Sequence, residues 1–216
     1  MSCCSSNGTN KFFTKHAKRY AKTFRKKGLD KPSKCIFDAL CRIGIQSKSL
    51  LEIGSGVGGL YIMLLKSGAA NAQGVEISEG MISAAQNLTE EMGLDARVRH
   101  HKGDFVTLNG EITASDIVIL DKVLCCYPDH NELISKSAEK TTDIYAVSYP
   151  RNSLLSKLMF RSAAWFGELL RWSFHPYYHE TIELDRAITR HGFSEVFADT
   201  TVIWQIKIFR RQEVSL

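Results

Sequence analysis

One glycine-rich segment constrains the fold of this chain more than any other feature. It reads Leu51-Glu52-Ile53-Gly54-Ser55-Gly56-Val57-Gly58-Gly59 and follows a short apolar run. Its glycines fit both G-x-G-x-x-G and G-x-G-x-G spacing. A strand that enters such a turn and continues into a helix brings backbone amides to a ligand at the edge of an α/β sheet. The spacing alone also fits an ordinary tight turn, so the flanking residues have to decide.

Strand and helix patterns alternate on either side of this turn. Strands are predicted at 49–53, 72–75, 96–101, 116–120 and 144–149, with helices at 57–67, at 79–92 and after Pro128. Such alternation predicts a parallel sheet covered on both faces. A helix at 180–191 and two strands at 195–199 and 202–209 then predict a closing antiparallel hairpin. The predicted fold is α/β: a Rossmann-like, doubly wound, mostly parallel seven-stranded sheet that ends in this hairpin.

Two helices are predicted before the first strand. Apolar and small residues recur on one stripe of 12–24, which Gly28 ends, and Pro32 opens a second helix that ends at Gly44. The first six residues are interpreted as a disordered tail. A length of 216 residues suits one domain with an appendage. We therefore divide the chain into a tail with lid-like helices at 1–46 and a globular unit at 47–216.

The positive charge of the chain is concentrated in the first helix. Residues 11–27 hold eight of the 28 lysines and arginines and no acid, so the rest has 20 basic residues against 23 acidic ones. A nucleic-acid binder more often spreads cations over its body. Nucleic acid is therefore an unlikely partner.

The cysteines indicate reduced thiols. Six are present, with neither C-x-x-C spacing nor an accompanying histidine pair, so no metal site is predicted. Such scattered thiols are typical of a cytoplasmic protein.

Acidic residues stand at the ends of three successive predicted strands. Glu52 precedes the first glycine, Glu76 ends the second strand, and Asp104 with Phe105 follows the third. A carboxylate at Glu52 repels a pyrophosphate, which argues against a nicotinamide-dependent dehydrogenase, but pairs well with an amine. An acid at Glu76 suits ribose hydroxyls, and an acid beside an aromatic ring suits adenine. An amine, a ribose and an adenine without phosphates describe S-adenosylmethionine.

With these motifs, residues 50–209 resemble class I S-adenosylmethionine-dependent methyltransferases. The resemblance implies that Glu76 binds the ribose, that Ile77 packs on the adenine and that Asp104 and Phe105 hold its ring. It places Asp121, at the end of the fourth strand, between cofactor and acceptor. The residues implied at the methionine end are Glu52, Gly54, Ser55, Gly56 and Gly58.

Within that family the chain is most similar to the magnesium-protoporphyrin O-methyltransferase group and its bacterial relatives. The similarity rests on the segment 19–25, on the block that begins at Leu120-Asp121, and on a tail with His175-Pro-Tyr-Tyr-His179 and Trp204-Gln205. It implies methylation of a small molecule, at oxygen.

The acceptor side is less defined. Methyl transfer from a sulfonium requires a general base only when the acceptor must lose a proton. Tyr127, His175 and His179 are the catalytic candidates, although the aromatic residues around 175–179 also suit a plain capping loop. Trp165, Phe166 and Trp172 suggest a large apolar acceptor, or simply a core.

The basic helix allows three interpretations. As a lid it would place Tyr20 or Arg25 on the methionine carboxylate. It also has the signature of a helix on a membrane surface, and it could act as an RNA-binding arm. The alternatives to a small-molecule enzyme are therefore an RNA methyltransferase and a non-catalytic cofactor-binding protein.

Overall fold

The computed structural model describes residues 3–153, 156 and 177–212, with the backbone alone for 3–7. The α-helices are α1 Cys3–Lys27, α2 Lys31–Ile43, α3 Gly59–Lys66, α4 Glu79–Glu91, α5 Phe105–Leu108, α6 His130–Glu139 and α7 Thr181–Arg190. The strands are β1 Ser49–Ile53, β2 Asn71–Glu76, β3 Val98–Lys102, β4 Ser115–Asp121, β5 Thr141–Pro150, β6 Phe193–Thr200 and β7 Trp204–Arg211. Short 3-10 turns occupy Asp95–Arg97 and Leu124–Cys126.

All seven strands form one sheet in the order β3-β2-β1-β4-β5-β7-β6. The first five pair in parallel, and β7 runs antiparallel to both β5 and β6. The strand order reverses at β1 and β4. Their carboxyl ends therefore flank the crevice where ligands bind in open α/β sheets. The predicted fold class is confirmed.

The sheet has a hydrophobic core on each face because successive strand residues point to opposite sides. In β1, Leu50 belongs to one core and Leu51 to the other. Helices α1 to α4 cover the face of Leu50, and α5 to α7 cover the face of Leu51. Glu52 alternates with Leu51 and so points toward the side of α3.

Several local predictions were wrong. Residues 3–6 are not a disordered tail, because α1 already begins at Cys3. Helix α5 was missed, since four residues are too few to show a period. Val202 was assigned to the last strand, but it lies in the connecting turn with 67% of its surface exposed. The apolar segment predicted at 153–174 lies almost wholly outside the described residues.

The two N-terminal helices pack against the sheet domain. Ala17, Ala21 and Phe24 of α1 are buried in the same core as Ile36 and Leu40 of α2. The predicted stripe is confirmed at Ala17, Ala21 and Phe24, whereas Tyr20, also assigned to it, is 44% exposed. The lysines of α1 lie outside. Among the described residues, no helix combines the length and the apolar character that crossing a membrane requires.

Candidate functional site

The glycine turn after β1 adopts a conformation that favours glycine. Gly54, Gly56 and Gly58 have φ angles of 66°, 54° and 77°. A side chain on Gly54 would also place its Cβ 2.5 Å from a methyl carbon of Val123. The amide of Gly54 donates to the carbonyl of Val75 at 2.8 Å, which ties the turn to β2. The turn therefore needs its glycines for shape and for close packing.

Glu76 is built into the same turn. Its carboxylate, 7% exposed, accepts hydrogen bonds from the amide of Gly56 at 2.8 Å and of Ser78 at 2.7 Å. Burial raises the pKa of Glu76, although these amides act in the opposite direction. A carboxylate offers about four lone-pair sites, so acceptor capacity remains for a ligand hydroxyl.

Glu52 is a buried carboxylate beneath the turn. Its exposed fraction is 4%, and it accepts a hydrogen bond at 3.1 Å from the backbone amide of Tyr61 in α3. Burial raises its pKa well above the usual range, and the neighbouring charge of Asp121 adds to this effect. A cationic group bound nearby would relieve both effects.

Asp104 and Tyr127 meet at the far end of the crevice. Asp104 caps α5 by accepting from the amide of Val106 at 2.9 Å, and the hydroxyl of Tyr127 donates to the same carboxylate at 3.1 Å. Burial and the charge of Asp104 raise the pKa of Tyr127. The phenol is therefore a hydrogen-bond donor at neutral pH, which does not suit the predicted role of a general base.

The end of β4 is held by a polar cluster that reaches α2. Asp121 accepts hydrogen bonds from the hydroxyls of Ser33 and Ser148, each at 2.5 Å. Lys122, with a φ of 61°, places its ammonium 2.6 Å from Asp30 and 3.3 Å from Asp121. Burial opposes the ammonium charge, but Asp121 and Asp30 raise the pKa of Lys122. The cluster fixes Asp121 in one orientation.

Helix α1 is docked across α4 by two polar side chains. Asn10 accepts from the amide of Glu79 at 3.1 Å, and Thr14 accepts from the amide of Gly80 at 3.2 Å. The hydroxyls of Thr14 and Ser78 are 3.0 Å apart. These bonds satisfy backbone donors at the first turn of α4 that have no partner within the helix.

The carboxylates of Glu52, Glu76, Asp104 and Asp121 line one pocket of about 610 Å³, which α1 borders on one side. Its lining includes Phe12, Phe24 and Trp204, and most of its wall is apolar. Ten predicted cofactor residues line it: Tyr20, Glu52, Gly54, Ser55, Gly56, Glu76, Ile77, Asp104, Phe105 and Asp121.

Two predicted cofactor residues lie elsewhere. Arg25 forms a salt bridge with Glu91 of α4 at 2.6 Å on the surface and does not line the pocket, so its position does not support the predicted contact with the methionine carboxylate. Gly58 is the N-terminal cap of α3 and packs on Tyr61 instead of lining the pocket. The side of α1 that packs against α4, and with it the position of Arg25, could not be predicted from the sequence.

Of the three predicted catalytic residues, the structure brings one to the pocket. Tyr127 lines the pocket. His179 does not, because its Nε2 lies 2.9 Å from the carbonyl oxygen of Tyr127 and its ring packs 4.3 Å from that of His130. His175 lies outside the described residues. Sequence reasoning missed Ser33 and Lys122. The sequence marks Ser33 only as part of a helix start, and it does not show the positive φ of Lys122.

A sheet of this order with a glycine turn and acids at its strand tips defines a Rossmann-like methyltransferase. The chain matches a family model described as "Methyltransferase domain" over residues 46–188, and it therefore belongs to this family. It is an S-adenosylmethionine-dependent methyltransferase.

Solved structures share the fold at low sequence identity. Magnesium protoporphyrin IX methyltransferase (ChlM) from Synechocystis PCC 6803 with bound SAH is 22% identical, with a TM-score of 0.69 over 83% of this chain and 82% of that one. Geranyl diphosphate C-methyltransferase from Streptomyces coelicolor A3(2) is 14% identical, with a TM-score of 0.65 over 83% and 76%. The [4+2]-cyclase SpnF is 12% identical, with a TM-score of 0.64 over 83% and 80%.

Proposed function

We propose that this methyltransferase transfers a methyl group to an oxygen atom of a small, largely apolar molecule. The supporting observation is one apolar pocket with buried carboxylates at its strand tips, bordered by α1. ChlM and the geranyl diphosphate enzyme, whose names give small organic substrates, support the same class of acceptor.

The chain's own residues suit the proposed cofactor placement. Glu52 has acceptor capacity beside the glycine turn for an amine, and Glu76 has the same for ribose hydroxyls. Asp104 and Phe105 would hold the adenine, while Tyr20 borders the pocket from α1. When bound, S-adenosylmethionine supplies an electrophilic methyl group on a sulfonium.

Positioning would account for most of the rate enhancement. Asp121 is held by Ser33 and Ser148 at the end of β4 and is suited to orient an acceptor in line with the methyl group. Such orientation can contribute roughly 7–11 kcal/mol in favourable cases. The apolar wall formed by Phe12, Phe24 and Trp204 would exclude water.

The proposed acceptor atom is an oxygen that is already ionised. The described pocket lining contains no histidine, and Tyr127 is held as a donor to Asp104. A carboxylate acceptor loses no proton and so needs no base. His175 remains the candidate base for a hydroxyl acceptor.

We infer a cytoplasmic location and a peripheral contact with an anionic surface. Cys35, Cys41, Cys125 and Cys126 are free thiols, as is usual in a reducing compartment. The outer face of α1 exposes its lysines beside the pocket. The same face would suit an RNA methyltransferase, which is the second candidate.

Two experiments test the proposal. Titration calorimetry with S-adenosylhomocysteine should give binding, whereas NAD should give none. Labelled S-adenosylmethionine with a mixture of a metabolite extract and total RNA should yield a labelled small molecule, identified by mass spectrometry. Label recovered in RNA alone would refute the small-molecule acceptor, and cofactor binding without any labelled product would favour a non-catalytic protein.

A further inference from the structure

Two consecutive cysteines form part of the pocket wall. The 3-10 turn after β4 places Cys125 and Cys126 among the lining residues, with their Sγ atoms 3.8 Å apart. Both thiols lie within reach of the carbonyl oxygen of Lys122, at 3.4 and 3.5 Å. Methyl transfer as proposed above uses neither thiol.

The surroundings of Cys126 disfavour reactions that need its thiolate. The contact with Cys125 and burial raise the pKa of Cys126 well above the usual thiol range. Alkylation and disulfide exchange both require the thiolate. A protonated thiol is therefore slow in these reactions. Two adjacent soft sulfur atoms nevertheless suit a thiophilic centre that binds both.

We propose that Cys125 and Cys126 form a dithiol site that chelates a trivalent organoarsenical and thereby blocks the cofactor pocket. The reaction is a condensation: two S–H and two As–O bonds break, two As–S bonds form, and both arsenic hydroxyl groups leave as water. No electrons are transferred, so no oxidant is needed. The sulfur atoms are already adjacent, and the second As–S bond forms within one complex at a high effective concentration.

The block follows from the location of the pair. Val123, just before the turn, would lie 2.5 Å from a Cβ on Gly54, and Glu76 lines the same pocket as Cys125 and Cys126. An aryl group carried by the arsenic would therefore occupy space beside the ribose acid. This competition rests on the proposed cofactor placement, whereas the chelation does not.

The test is a titration of the reduced full-length chain with phenylarsine oxide. Residues 3 and 4 form a second vicinal pair, so the reference protein is the variant Cys3→Ser/Cys4→Ser. Intact mass spectrometry should find one arsenical per reference chain, with two thiols lost to a colorimetric thiol reagent. In this background Cys125→Ser and Cys126→Ser should each weaken binding by about 100-fold or more, because only one As–S bond remains.

The matched control is Cys35→Ser/Cys41→Ser, which removes two separate thiols and should leave arsenical binding unchanged. If Cys125→Ser and Cys126→Ser bind as tightly as the reference, the dithiol site is wrong. S-adenosylhomocysteine should raise the apparent Kd for phenylarsine oxide in proportion to its concentration. Chelation without this competition would overturn the block. If the chain chelates the arsenical but binds no S-adenosylhomocysteine in calorimetry, the proposed cofactor placement is wrong, and so is the proposed block. The dithiol site would still be supported.

Discussion

The carboxylate of Glu76 accepts a hydrogen bond from the amide of Gly56 at 2.8 Å, across 20 residues of chain. This bond joins the tip of β2 to the glycine turn after β1. The acid proposed to bind the ribose thus also holds the turn proposed to meet the methionine end. A change at Glu76 should affect both parts of the pocket.

We expect Glu76→Gln to weaken binding of S-adenosylhomocysteine by about 1–3 kcal/mol, or roughly 5- to 150-fold in Kd. Both carboxylate oxygens of Glu76 accept backbone amides, so the NH2 group of glutamine would face one of these donors and could not accept from it. Titration calorimetry measures the change. The control is Glu79→Gln, which changes an acid three residues away that is exposed on α4. Equal losses in both variants would contradict the role of Glu76.

We expect Glu52→Gln to stabilise the unliganded protein at neutral and alkaline pH. Because the pKa of Glu52 is raised in the folded state, the unfolded chain loses this proton first. The free energy of unfolding therefore falls as the pH rises above the ordinary carboxyl value. The fall is about 1.4 kcal/mol for each pH unit that separates the folded and unfolded pKa values. Below the ordinary value both states are protonated and the effect vanishes.

Thermal denaturation at pH 4 and pH 8 checks this prediction. The melting temperature of Glu52→Gln should exceed that of the parent at pH 8 and match it at pH 4. The same variant should bind S-adenosylhomocysteine more weakly, since a neutral amide pairs poorly with an amine. Glu90→Gln, at an exposed position on α4, controls for the loss of one charge. A parent-like melting temperature at pH 8 would refute the buried-charge argument.

We expect Tyr127→Phe to weaken S-adenosylhomocysteine binding by about 1 kcal/mol, because Asp104 loses a donor that orients it. Tyr127 then acts as a positioning residue. Its loss should leave the pH dependence of turnover unchanged once an acceptor is known. If the parent rate rises toward alkaline pH and this rise is lost in Tyr127→Phe, the phenol acts as a general base after all.

Sequence reasoning worked where one strand or turn carries the signal. Glu52 and Glu76 could be assigned to the pocket because all parallel strands have their carboxyl ends at the same edge of the sheet, whatever the order of the strands. Pairings between distant segments could not be predicted. Arg25 faces Glu91 because α1 crosses α4, and Tyr127 reaches Asp104 although β1 and β2 separate β4 from β3 in the sheet. A single sequence gives no information about which distant segments contact each other.

We expect Thr14→Val to loosen α1. This change keeps the size of the side chain but removes the acceptor of the exposed Gly80 amide, at a cost of about 0.5–1.5 kcal/mol. Amide hydrogen exchange in α1 should become faster, and S-adenosylhomocysteine should bind more weakly. Thr14→Ser keeps the hydroxyl and is the control. Unchanged exchange in Thr14→Val would show that the apolar stripe alone holds the helix.

We expect the outer face of α1 to bind anionic vesicles. Lys15, Lys18 and Lys22 are exposed there, and each cation near such a surface contributes about 1 kcal/mol. Reversing all three to glutamate should reduce binding to phosphatidylglycerol-containing vesicles at least about 100-fold in a sedimentation assay. The matched control reverses three exposed cations on other helices, Lys66, Arg186 and Arg190, and should retain binding. If both variants lose vesicle binding equally, the effect is one of net charge only. Tight RNA binding with a steep salt dependence, lost in the α1 variant alone, would instead favour the RNA-binding arm.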